Sequence, residues 1–141
     1  MSLESLNKKV KLIDEQVEIL REIIKITNLI KFTDNAEAYD EEIEEYFYVM
    51  ERREEMFKRL QEINDLIGDI TLLPSEEESV EYKKLEIKEE EAKEFVQKIM
   101  EKDKSNLEQV QKIFSTMKSK IKELRDSKKA SSAYSMHYGD E

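Results

Sequence analysis

Few residues in this 141-residue chain have both the type and the spacing to do chemistry, and the single histidine, His137, stands close to its end. A Ser-His-Asp or Cys-His arrangement needs an anchored histidine between a nucleophile and an orienting acid. His137 falls instead in a stretch without helical periodicity. Carboxylate-bridged di-iron bundles need a Glu-x-x-His motif on each of two helices, which one histidine cannot supply. The acidic runs Glu76-Glu77-Glu78 and Glu89-Glu90-Glu91 lack the Asp-x-Asp-x-Asp-Gly calcium-loop pattern, and no Gly-rich phosphate loop of either common kind occurs. Both runs read as solvated helix starts and faces. No catalytic, cofactor or metal residue is assigned, and the chain is expected not to be an enzyme. Arg53 reads as half of a register-fixing ion pair. Reflecting the chain about its two turns places it level with Asp14 and with Glu90.

The elements that would carry these residues are long helices. The only proline, Pro74, and Gly68 bracket one loop, and the second glycine is Gly139, so little else interrupts helix. In residues 2–32, Leu6, Val10, Ile13, Val17, Leu20 and Ile24 step by four and three, the seam of a coiled-coil-like bundle, and Ile23 and Ile30 widen it. Asp34 with Glu37 has capping-box spacing and opens a second helix over residues 35–67. Its seam is Ala36, Tyr39, Ile43, Tyr46, Met50, Phe57, Leu60 and Ile67, broadened by Val49, Met56 and Ile63, with Arg53 and Asn64 at seam positions. Ser75 with Glu78 opens a third helix that runs to about residue 127. Its early seam is Leu85, Ala92, Val96 and Ile99, and its later one Leu107, Val110, Phe114, Met117, Ile121 and Leu124. Between them, residues 102–106 and the Ser105/Glu108 spacing predict a kink or a break into a fourth helix.

The expected fold is therefore all-α, an antiparallel bundle of three long helices forming one elongated domain over residues 1–127, with a flexible polar tail over residues 128–141. At 38% hydrophobic and 41% charged residues, without tryptophan, the core must be a seam rather than a ball. The absence of cysteine excludes disulfides and thiolate metal sites. No signal-peptide segment and no bilayer-length apolar run occurs, so a soluble, cytoplasmic protein without membrane insertion is expected. A net charge of -10 argues against nucleic acid as a partner. That charge is uneven: residues 34–91 hold 21 acids and 7 bases, whereas residues 98–129 hold 10 bases and 5 acids. Antiparallel packing would bring the two blocks together.

Two apolar features exceed the needs of a simple bundle. Leu12, Ile19 and Ile26 recur every seven residues, roughly 130° around the first helix from its main seam. They form a second apolar face, for the third helix, a homodimer or a partner. If the third helix stays straight, residues beyond about 109 lie past the bundle, and Val110, Ile113, Phe114, Met117, Ile121 and Leu124 form an uncovered stripe. Each large side chain left unburied forgoes ~1.5 to 3 kcal/mol. Folding back, dimerisation or capture of a client's amphipathic helix would cover it.

The segment MERREEMFKRLQEI (residues 50–63) and the terminal KKASSAY (residues 128–134), followed by Tyr138-Gly139, resemble the FlgN/FliT group of flagellar type III export chaperones. The resemblance implies a cytoplasmic chaperone that binds the helical end of a hook-filament junction or filament-cap protein, blocks its premature polymerisation and delivers it for export. It also implies that the C-terminal helix carries or masks the client contacts, here on Ile113, Phe114, Met117, Ile121, Leu124 and Tyr134. The alternative is a self-associating coiled-coil scaffold subunit.

Overall fold

A computed structural model describes the backbone over residues 3–139 and the side chains over residues 3–129. The elements are α1 (Glu4–Thr27), a 3-10 turn (Ala36–Ala38), α2 (Tyr39–Gly68), α3 (Pro74–Glu77) and α4 (Val80–Gly139). Among the described residues there is no strand, and the protein is an all-α bundle of long helices packed on one another. It divides into two compact units, Met1–Ser105 and Asn106–Glu141.

In the first unit, the step of three and four along α1 becomes the core. Leu6, Ile13, Val17, Leu20 and Ile23 are buried against Leu60 of α2 and Leu85, Ala92 and Ile99 of α4. The polar contacts give the directions of the helices. Gln16 of α1 donates to Asn64 near the end of α2 at 2.6 Å, whereas Phe32, just beyond α1, meets Tyr46 near the start of α2 with ring centres 6.2 Å apart, which sets α2 antiparallel to α1. Asp14 pairs with Lys88 and Arg21 with Glu91, which sets the first turns of α4 parallel to α1.

The helix ends differ from the sequence expectation, for local reasons. α1 stops at Thr27 rather than residue 32, because Ile26, Thr27 and Asn28 are weak helix formers. Thr27 instead turns its hydroxyl back onto the Ile23 carbonyl at 2.6 Å. The cap after that connection is Asn35, not Asp34: its side chain accepts the Glu37 N–H at 3.1 Å. Ser75 and Glu78 form no capping box either. Glu76 takes that role, and its carboxylate accepts the Leu73 N–H at 3.0 Å and the Leu6 N–H at 2.7 Å. Leu6 is the third residue of α1, whose own N-cap, Leu3, offers no acceptor, so Glu76 satisfies an orphan helix donor from across the bundle. Glu76 is 1% exposed, which corrects its reading as solvated, whereas Glu77 and Glu78 are exposed as expected.

α4 passes through residues 102–106 without a break, so no separate fourth helix starts at Ser105. Ser and Asn inside a helix cost only a few tenths of a kcal/mol each relative to better formers, and no Gly or Pro is present to stop it. Its backbone remains helical through Gly139, across the stretch expected to be a flexible tail.

Candidate protein-binding surface

Arg53 is the most constrained polar group in the first unit. Its guanidinium donates to both oxygens of Asp103, at 2.7 and 2.8 Å, and to the Met50 sulfur at 3.1 Å, and it lies 5.0 Å from the centre of the Phe57 ring. It is 2% exposed, and its Nε is buried without a partner. The expectation of a register-fixing ion pair holds, but the partner is Asp103 rather than Asp14 or Glu90. Asp14 pairs with Lys88 instead. Counting levels from the Gly68–Pro74 turn treats residues from 75 onward as the next long helix. The chain spends residues 69–79 on an irregular stretch and the short α3, so that Arg53 meets α4 at residue 103 rather than 90, a shift of about three and a half turns.

Beside this clamp an apolar groove of about 320 Å³ runs between α2 and α4, lined by Leu20, Leu60 and Ile99 together with Phe57, Val96 and Met100. Phe57 and Val96, expected in the seam, are instead partly open to solvent, as is Met100. Periodicity names these residues but not their exposure, because the offset of α4 against α2 depends on the unusual connection.

In the second unit the sequence-derived stripe separates into two parts. Val110 and Ile113 are buried, as is Asn106, and Met117 is half-buried. Phe114, Ile121 and Leu124 are exposed by 46%, 51% and 70%, and Leu107 by 47%. The simple expectation that everything beyond residue 109 is uncovered therefore fails for Val110 and Ile113. Tyr134 lies outside the residues whose side chains are described.

The second apolar face is largely absorbed by packing. Ile26 is buried, Leu12 and Ile19 are half-buried, and Ile19 and Met56 both pack against the core of the first unit. The acidic run at 89–91 is likewise engaged, with Glu89 paired to Lys9 and Glu91 to Arg21. The ion pair joining α2 to α4 has its cation on the acidic block and its anion on the basic one. Simple attraction between blocks does not describe that contact.

Two titratable groups are displaced from their ordinary values. Arg59 is held above its ordinary value by hydrogen bonds to Glu15 and Glu62. Tyr82 is raised by desolvation and by Glu86, Glu77 and Glu89. Neither lines the groove. Among the described residues no group of three or more His, Asp or Glu side chains is placed to hold a metal ion, and no helix is long and apolar enough to cross a membrane.

Fold and surface together define a helical bundle with an apolar groove and an exposed apolar helix stripe. No protein-family model matches the chain, no curated protein matches its sequence, and no solved structure matches its fold.

Proposed function

We propose that the chain is a non-enzymatic, cytoplasmic export chaperone that binds the helical terminal region of a flagellar axial protein, of the hook-filament junction or filament-cap kind. It would hold that region from premature assembly and deliver it for secretion. The observation that carries this reading is the exposed line Phe114, Ile121 and Leu124 on α4, spaced as one face of a helix and left open where Val110 and Ile113 are buried. Large apolar side chains at such spacing suit an amphipathic helix laid alongside them. The FlgN/FliT resemblance of residues 50–63 and 128–134 supplies the class of client.

The test is co-expression of the full chain with flagellar axial subunits, followed by capture on the chain. Recovery of one axial subunit by the wild type, and its loss in Phe114→Asp/Ile121→Asp, supports the reading. Failure to recover any axial subunit rejects it.

A further inference from the structure

The exposed stripe has a defined electrostatic border. Residues 106–129 carry seven bases and three acids. Lys118 and Arg125 each follow a stripe residue, Phe114 and Ile121, by four positions, which places them about 40° around the helix from it. Both are exposed, as is Lys122. The three acids Glu108, Glu123 and Asp126 lie about 120° or more around the helix from the nearer of Phe114 and Ile121. A helix docking on the stripe therefore meets cations along that border.

In helix pairs the residues flanking an apolar seam decide which partner is accepted, because opposite charges attract across the seam and like charges repel. Two copies of this stripe packed antiparallel would set Lys118 and Arg125 against the same cations. We propose that the occupant of the Phe114–Ile121–Leu124 stripe is an acidic amphipathic helix from another protein, with apolar residues repeating at three- and four-residue steps and Glu or Asp flanking them. This rests on the helix-capture reading above and adds the charge of the partner to it.

Two labelled peptides of three heptads test the assignment against the full chain by fluorescence anisotropy. Both carry Leu at the seam positions, one with Glu and the other with Lys on the flanks. The acidic peptide is expected to bind roughly tenfold tighter or more, with the preference shrinking as salt rises. Lys118→Glu/Arg125→Glu should reverse the preference, and Phe114→Asp/Ile121→Asp should abolish binding of both peptides. Equal affinities, or a preference untouched by the charge reversal, would overturn the proposal. So would a dimer that binds neither peptide and dissociates on Phe114→Asp/Ile121→Asp, since a second copy would then be the occupant. If the acidic peptide binds as described while no axial subunit is captured, the charge assignment stands and the flagellar reading falls.

Discussion

Arg53 grips Asp103 through two parallel hydrogen bonds of 2.7 and 2.8 Å, and this clamp ties the middle of α2 to α4. The arginine is 2% exposed whereas the Asp103 side chain is 32% exposed, so the cation is the desolvated partner. The pair fixes how far α4 slides along α2, and hence which apolar residues meet and which line the groove.

Removing the anion alone should be costly, because the buried guanidinium is left without its counter-charge. Asp103→Ala is expected to lower unfolding free energy by about 2 to 4 kcal/mol, less than for a fully buried pair because Asp103 is partly solvated. Replacing both residues by leucine should recover most of that loss. Urea unfolding of the three variants measures it, and a change below about 0.5 kcal/mol for Asp103→Ala would mean that the clamp contributes little.

The Glu76 carboxylate offers a second, independent test. Glu76→Gln exchanges one of its two acceptor oxygens for a donor, so the Leu6 or the Leu73 N–H loses its partner. A loss of about 1 to 3 kcal/mol is expected, together with faster hydrogen exchange at the Leu6 amide if that bond is the one broken. Glu76→Ala removes both acceptors and should expose the Leu6 amide to exchange in every case. Unchanged exchange in the alanine variant would show that α1 is not capped from across the bundle.

Substitutions along the second unit should separate stability from binding. Val110→Ala and Ile113→Ala remove buried methyl groups and are expected to cost about 1 to 4 kcal/mol each. Phe114→Ser and Ile121→Ser act on exposed side chains and should stay within about 0.5 kcal/mol of the wild type while weakening client binding. Thermal melts and binding measured on the same preparations check both halves. Large stability losses at Phe114 and Ile121 would mean that the stripe is already covered.

The helices and most of the core were legible in the sequence because burial in a bundle follows periodicity. Leu6, Ile13, Val17 and Leu20 occupy the seam that their spacing predicts. Contacts that depend on connections were not. The partner of Arg53 could not be read from a level count that began the next long helix at residue 75, and the carboxylate of buried Glu76 serves a backbone donor 70 positions away. The stripe was legible as a set of apolar residues on α4. Its division into buried Val110 and Ile113 and exposed Phe114, Ile121 and Leu124 was not, because helical spacing gives a residue's face and not what lies over it.

On the proposed function the exposed stripe binds a client, and that claim excludes a second copy of the chain as its occupant. Size-exclusion chromatography with light scattering, on the chain alone over a dilution series and mixed with a purified flagellar axial subunit, addresses that claim most directly. The expected result is a monomer that forms a one-to-one complex with the subunit, and no complex for Phe114→Asp/Ile121→Asp. An oligomer that persists on dilution and does not change when the subunit is added would contradict it and identify a self-associating scaffold.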